Sequence, residues 1–437
     1  MSIQIIALVM FLSMAMLLIS GRYIFVAVGS IGAIFAIALW GTGGIDMAFF
    51  SAYSFMKWYV LLAIPPFIFM GLILSKSGVA DDLYDMIHKW FGGIAGGLAM
   101  GTIGISAMIA AMVGEATCGT VTAGLIAMPA MLKRKYNKLM VTGVVQAGGA
   151  LGFLIPPSVV FIIYGIIARV SIGHLFLAGA IPGVLLAVMY VIYIGIRCRR
   201  NPSMGPPLPV EERVNWKGKL VSLKSGIAPI LLIFIVLGLL FMGVTTVMES
   251  AAVGAVGAIV CAAIHRKLSW SVVKIAMAET LRVSCLFLWI LVAALLFSSV
   301  YDGLGAVKIL EPLFLSLGNP VLVLVMMQAS FIAMGTFLDD TAMLLIVAPL
   351  YIPIVATLGY DLVWYGVLYV ITCEMAYLTP PFGYTLFIMR GIVPKGITMG
   401  DIYRSVIPFV IIQGVCLALV FAFPQIALWL PNLIMGR

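Results

Sequence analysis

Apolar runs about as long as a membrane is thick recur along the whole chain, separated by short polar or proline-rich punctuation. About 20 apolar residues cross a bilayer as a helix. On that measure spans are predicted near 3–20, 23–40 and 57–75, with an amphipathic stretch at 79–91. Two apolar pieces, 94–113 and 116–132, surround "GEATCGT", and a broken span at 139–167 and a span at 175–196 follow. A polar connector, 197–225, is the one soluble-looking stretch of any length. Beyond it come spans near 226–244, 247–264 and 281–299, an amphipathic stretch at 302–316, and apolar pieces 320–335 and 342–357 around "TFLDDT". A broken span at 362–389 and a last span at 405–430 finish the chain. Ten-residue alternation is missing, so of the two backbones that satisfy themselves in lipid, the helix bundle is predicted over the barrel.

The two broken spans raise the main question. "GGALGFLIPPS", Gly148 to Ser158, ends in two prolines, which remove backbone donors and clash with the preceding turn. A second proline pair, Pro380–Pro381, stands 224 positions after Pro156–Pro157. The same offset relates Glu115 to Asp339, Thr117 to Thr341, Pro129 to Pro353, Tyr136–Asn137 to Tyr360–Asp361 and Leu154 to Leu378. Each half reads as three spans, an amphipathic stretch, a paired segment, a broken span and a final span. A pair that enters and leaves on one side adds no net crossing, so each half crosses five times. An odd number turns the second half upside down. The expected architecture is an all-α polytopic membrane protein of two inverted repeats, 1–196 and 226–437, each with a re-entrant hairpin (94–132; 320–357) and a discontinuous helix (139–167; 362–389). The scaffold spans would be 1–75 and 226–299, with interfacial helices at 79–91 and 302–316. Breaks at mid-depth are tolerated where they line a wet cavity, and they free carbonyls for a cation and amides for an anion.

Composition agrees. The chain is 64% hydrophobic and 9% charged, against roughly 25% charged in soluble domains. With the connector in the cytoplasm, 21 of the 25 basic residues fall inside; Lys57, Arg169, Lys308 and Arg437 fall outside. That bias supports the span list and its orientation, with both termini periplasmic. It accounts for the net charge of +9 without a nucleic-acid partner. The opening "MSIQIIALVMFLSMAMLLIS" has no basic n-region or cleavage site and reads as a first span. The six cysteines are scattered, with no C-x-x-C pair and no histidine cluster, which argues against a structural zinc or a disulfide framework.

The candidate chemistry sits in four stretches. "GEATCGT", Gly114 to Thr120, reads as a re-entrant tip with small residues and the hydroxyls of Thr117 and Thr120; the bland alternative is a loop between full spans. "GTFLDDT", Gly335 to Thr341, places two carboxylates where an ionised Asp costs roughly 2.5–3.5 kcal/mol, so they must reach a cavity, a cation or the surface. Hard oxygen ligands suit a hard cation such as sodium. "EMAYLTPPFGYT", Glu374 to Thr385, has Thr379 just before one proline pair, as Ser158 just follows the other; the alternative is a kink with a hydroxyl satisfying backbone. Glu374 reads either as structural or as a proton carrier. "DDLYD", Asp81 to Asp85, fits a magnesium-diphosphate pattern of prenyl-transferring enzymes. It fits better the polar face of an interfacial helix that turns Val79, Leu83, Met86, Ile87, Trp90 and Phe91 to lipid. Arg282 reads as a snorkelling interface residue or as a partner for a substrate carboxylate. His88, His174 and His265 read as interface or loop residues.

"GGALGFLIPPS", "GTFLDD", "LTPPFG" and the basic "LKRKYN" resemble the large membrane subunit of tripartite ATP-independent periplasmic (TRAP) transporters over essentially the whole chain. The resemblance implies no enzyme. It implies sodium-driven import of a small organic anion, a carboxylate or sulfonate, across the bacterial inner membrane. It implies a periplasmic substrate-binding protein, a small four-helix membrane subunit, membrane lipid around the chain, and an elevator mechanism. Carried onto matching positions, it implies substrate contacts at Glu115, Thr117, Thr120, Ser158, Asp340 and Thr341. It implies sodium positions at Gly114, Gly148, Gly149, Pro156, Gly335, Thr336, Asp339, Thr379 and Pro380. Glu115 and Ala116 depart from the family, whose first tip has serines after its glycine. The rival readings are a stand-alone sodium/divalent-anion symporter and a prenyl-transferring enzyme using Asp81, Asp82 and Asp85.

Overall fold

The computed structural model describes residues 3–114, 116–209, 213–305, 312, 314, 316, 318–336, 338, 340–380, 383–394 and 396–436. Within them the chain is helical, with no strand. Glu115, Asp339 and Pro381 lie outside the described residues, as does most of the predicted stretch 302–316. Tyr59–Lys76, Ile172–Arg200, Val247–Ile264, Trp270–Gly303, Asp340–Thr357 and Met399–Ala422 are long and apolar enough to cross a membrane. The protein is a multi-pass membrane protein.

The helices start where polar caps stand. Asn137 accepts from Leu139 N at 2.9 Å to open Lys138–Ala150. Asp361, 224 positions later, accepts from Val363 N at 2.7 Å to open Leu362–Leu378. Each cap takes up one of the donors a helix start leaves orphaned. Thr246 and Thr398 head reciprocal capping boxes with Glu249 and Asp401. The offset also governs the paired segments. Gly97–Val113 with Ala116–Lys133 is followed by Pro320–Gly335 with Asp340–Thr357, and the last of these is Ala116–Lys133 displaced by 224.

Several expectations need correction. A helix, Thr42–Met56, follows the second span where none was predicted; Gly41 at φ 56° ends one helix and opens the next. The span at 57–75 is a 3-10 turn, Tyr59–Ala63, leading into Ile64–Lys76 through Pro65–Pro66 at the helix start. The span predicted at 281–299 is Trp270–Gly303, whose 34 residues reach about 50 Å. Its polar first third, with Glu279 paired to Lys76 at 2.9 Å, hid its helical character from hydropathy. The connector is shorter than 197–225: Ile172–Arg200 runs into it, and Trp216–Phe241 begins inside it under the Asn215 cap. The last span divides at Phe423–Pro424 into Met399–Ala422 and Gln425–Met435.

Val79–Phe91 is helical, but its apolar face meets protein instead of lipid. Val79, Leu83, Met86 and Ile87 are buried against Gly97–Val113 and Trp216–Phe241; only Phe91, 43% exposed, points away. The sockets are glycines: a side chain at Gly101 would meet Ile87, and one at Gly226 would meet Met86. An apolar stripe reads the same whether lipid or another helix covers it.

The core is an exchange between the halves. Val159–Ala168, which restarts after the first break, packs on Asp340–Thr357; Tyr384–Ile392, which restarts after the second, packs on Ala116–Lys133. Likewise Lys138–Ala150 lies on Met399–Ala422, and Leu362–Leu378 on Ile172–Arg200. Trp270–Gly303 stands alongside, packed on Ile24–Trp40, Ile64–Lys76 and Asp340–Thr357.

Candidate functional site

The first proline pair is repaired by the first tip. Lys138–Ala150 passes through a 3-10 turn, Leu151–Phe153, and the helix restarts only at Val159. Ser158 caps the restart, accepting from Phe161 N at 3.4 Å. The exposed donor of Val159 goes to the Gly114 carbonyl at 3.2 Å. Gly114 sits at φ 70°, and a Cβ there would stand 2.6 Å from the Pro157 carbonyl oxygen. Only glycine satisfies both the left-handed backbone and the close approach.

Small residues bring the same break against the paired segment. A Cβ on Gly149 would fall 2.0 Å from Thr120 Oγ1, and one on Gly148 2.7 Å from Ser106 Oγ. The hydroxyls of Ser106 and Thr120 are both buried without a hydrogen-bond partner among the described residues. They face the carboxyl end of Lys138–Ala150, where the helix dipole is negative.

The second tip is held by tyrosines. Tyr377 donates to Asp340 Oδ1 at 2.5 Å, and Tyr369 donates to the Asp340 carbonyl at 2.8 Å. A Cβ on Gly335 would stand 2.6 Å from Ala376 Cβ, so this segment leans on the second broken helix. The hydroxyls of Thr336 and Thr379 are taken up locally, by Ala333 O at 2.8 Å and Met375 O at 2.6 Å. The breaks differ in exposure: Pro156 and Pro157 are buried, whereas Pro380 is exposed.

Both tips open on one cavity of about 240 Å³. Gly114, Thr117, Asp340 and Thr341 come from the tips; Phe153, Val159, Val160 and Tyr384 come from the broken helices. Its far wall is apolar, built from Val283, Leu286, Phe287 and Ile290 of Trp270–Gly303 together with Ile68. No lysine, arginine or histidine is among these lining residues. Ligand pockets are mostly apolar with a few placed polar groups, and their usual size of about 300–1,000 Å³ makes this one fit a small molecule.

Of the sequence candidates, the cavity therefore gathers Gly114, Thr117, Asp340 and Thr341. Thr120, Ser158, Gly148, Gly149, Pro156, Gly335, Thr336, Thr379 and Pro380 stand behind its lining or outside it. Glu115 and Asp339 lie outside the described residues. Arg282 is exposed on Trp270–Gly303 and does not line the cavity. Sequence reasoning missed Ser106, Tyr369, Tyr377 and Tyr384. Tyr377 and Tyr384 lay inside the quoted "EMAYLTPPFGYT" but carried no signal apart from their hydroxyls; Ser106 looked like any small residue in a span.

The acidic run at 81–85 serves structure. Lys267 Nζ bridges Asp82 Oδ1 at 2.8 Å and the Gly78 carbonyl at 2.9 Å, clamping the 265–269 turn to the Val79 helix. Burial raises the pKa of Asp81; Lys267 opposes the shift, and Asp82 and Asp85 add to it. Among the described residues no three acidic, histidine or cysteine side chains form a group able to hold a metal ion.

Comparison with known proteins places the whole assembly. Residues 9–426 match the family described as tripartite ATP-independent periplasmic transporter, DctM component. A Pseudomonas aeruginosa protein, the C4-dicarboxylate TRAP transporter large permease protein DctM, is 32% identical over 378 residues, covering 86% of each chain. The isethionate TRAP transporter permease protein DctMQ of Oleidesulfovibrio alaskensis is 28% identical over 423 residues, 96% of this chain and 66% of that protein. In fold, the Alcanivorax borkumensis YdaH transporter superposes with a TM-score of 0.65 at 12% identity, over 96% of this chain and 99% of that one. The chain thus belongs to the tripartite ATP-independent periplasmic transporters, as their large membrane subunit and not as an enzyme.

Proposed function

We propose that this subunit carries a small organic anion through the tip-lined cavity, coupled to sodium entry. The observation that carries the reading is the lining itself: both tips meet in one cavity that holds the Asp340 carboxylate and no basic side chain. An anion beside a carboxylate in an apolar setting is repelled unless a cation neutralises the pair. Bound sodium supplies that charge, so cation and anion each favour the state the other needs. Ser106, Thr120 and the carboxyl end at Gly148–Gly149 fit such an ion, because two buried hydroxyl oxygens there lack partners and face a negative helix terminus.

The exchange of elements between halves supports an inverted repeat. If the two pairs were full spans entering from opposite sides, their tips would emerge at opposite membrane faces. Tips that share a cavity fit re-entrant segments that stop at mid-depth. We read the paired segments and broken helices as one body that moves as an elevator against Trp270–Gly303 and its neighbours. We orient the connector toward the cytoplasm and both termini toward the periplasm, as the basic bias favours, in the bacterial inner membrane that the family resemblance implies. Cargo would arrive on a periplasmic binding protein, with a small membrane subunit alongside; a C4-dicarboxylate, named for the Pseudomonas relative, is the first cargo to try.

The test is uptake into proteoliposomes holding the permease with its small subunit and binding protein. Uptake should follow an inward sodium gradient. Anion transport unchanged when potassium replaces sodium, with no proton gradient, would sink the coupling.

A further inference from the structure

Away from the cavity, Glu374 is fully buried in the second broken helix, and neither of its carboxyl oxygens has a hydrogen-bond partner among the described residues. It faces the place where Leu362–Leu378 meets Ile172–Arg200 and Met399–Ala422. Tyr190 of the first and Gln413 and Cys416 of the second surround it, all fully buried. The Gln413 amide stands beside both Glu374 and Tyr190 without reaching hydrogen-bond geometry with either. The titratable groups facing Glu374 are Tyr190 and Cys416, and Cys373 precedes it on its own helix. Among the described residues no lysine, arginine or histidine pairs with it.

We infer that Glu374, with Gln413 and Tyr190 around it, is a buried proton-binding site, occupied by one proton in the state described. An ionised carboxylate buried without a countercharge, with one neutral amide as its nearest donor, is costly to hold in an interior. The choice lies between a proton and a metal cation, and the surroundings favour the proton. Glu374, Tyr190 and Gln413 sit inside regular helices, whose own carbonyls are engaged along the helix. The site offers a carboxyl, one amide oxygen and one phenol. That is a thin shell for a hard cation, and the nearby Cys416 sulfur is a soft ligand. A proton needs one acceptor. A protonated Glu374 also becomes a donor, which the Gln413 amide oxygen accepts after a small rotation.

The repeat argues that the carboxyl is not a folding requirement of this architecture. At the offset of 224 the counterparts of Glu374, Gln413 and Tyr190 are Ala150, Met189 and Gly414. The equivalent meeting of helices, built with Ala150, Met189 and Gly414, therefore forms without any of the three groups.

The test needs no transport, so its failure and the failure of the transport reading are separable. The permease in lipid nanodiscs is treated with a hydrophobic carbodiimide, which couples to protonated carboxyls in apolar surroundings, and the Glu374 peptide is read by mass spectrometry. Labelling at neutral pH that falls at alkaline pH is expected. An infrared difference between wild type and Glu374→Gln should show a protonated carboxyl band lost in the variant. If that variant does not fold, the labelling of wild-type protein decides alone. Glu374 left unlabelled at neutral pH, or labelling abolished by sodium and not by alkaline pH, overturns the proposal, the latter in favour of a cation ligand.

Discussion

Phe153 and Tyr377 meet edge to face, with ring centroids 4.8 Å apart and planes at 86°. They stand 224 positions apart, so each is the other's counterpart at the offset that relates the two halves. Residues matched by that offset thus touch directly. The pair also joins the two breaks, since Phe153 closes the turn before Pro156 and Tyr377 stands in the last turn of the helix before Pro380. From that position Tyr377 reaches Asp340.

Tyr377→Phe keeps the ring contact and removes only the hydroxyl. A hydrogen bond to a charged group contributes about 1.5–3 kcal/mol, and the variant leaves Asp340 Oδ1 short of that donor. Thermal unfolding of the purified permease should show a loss in this range. A melting curve that overlays wild type would mean that Tyr377 does not hold the carboxylate.

Gly114→Ala tests the tip against the first break. The left-handed backbone alone costs an L-residue roughly 1–2 kcal/mol, and the Pro157 carbonyl would then crowd the new methyl at 2.6 Å. Gly305→Ala is the control, with φ 72° but open space around it. The Gly114 variant should lose uptake and more stability than the control. Equal losses would show that backbone strain, and not the contact, is all that glycine relieves.

Thr120→Val removes an unpartnered hydroxyl at nearly constant shape. Without a bound ion this should be neutral or stabilising. With sodium at 100 times its dissociation constant, wild type should gain about 2.7 kcal/mol, a gain the variant should largely lose. Melting curves in sodium and in potassium separate the two cases. Wild type and variant responding alike to sodium would remove Thr120 from the ion site.

Asp81→Asn carries a pH signature. Burial raises the folded pKa of Asp81 above its unfolded value near 3.8. The folded state then binds more protons than the unfolded state, so stability falls as pH rises through the window above 3.8. The variant should be more stable than wild type at neutral pH, with the difference shrinking toward pH 4. Its uptake should match wild type, because Asp81 lies outside the cavity lining. Chemical unfolding at stepped pH checks the sign.

What the sequence determined by itself was local or statistical. Apolar length placed most of the spans, and proline pairs placed the breaks. The constant offset matched elements as closely as Ala116–Lys133 and Asp340–Thr357, down to the caps Asn137 and Asp361. Each signal is carried by neighbours along the chain. Hydropathy erred where it was asked about surroundings: the Val79 helix packs on protein, and Trp216–Phe241 and Trp270–Gly303 begin in polar sequence.

Only tertiary structure decided which polar atoms share a space. It joined Thr117 and Asp340 in one cavity, left Arg282 outside it, tied Asp340 to Tyr377, and orphaned the hydroxyls of Ser106 and Thr120. A serine or tyrosine in a membrane helix has one composition whether its hydroxyl bonds backward, bonds across, or waits for an ion. The difference lies in helices brought together across the chain, from 37 positions apart for Tyr377 and Asp340 to 223 for Thr117 and Asp340, which no local pattern encodes.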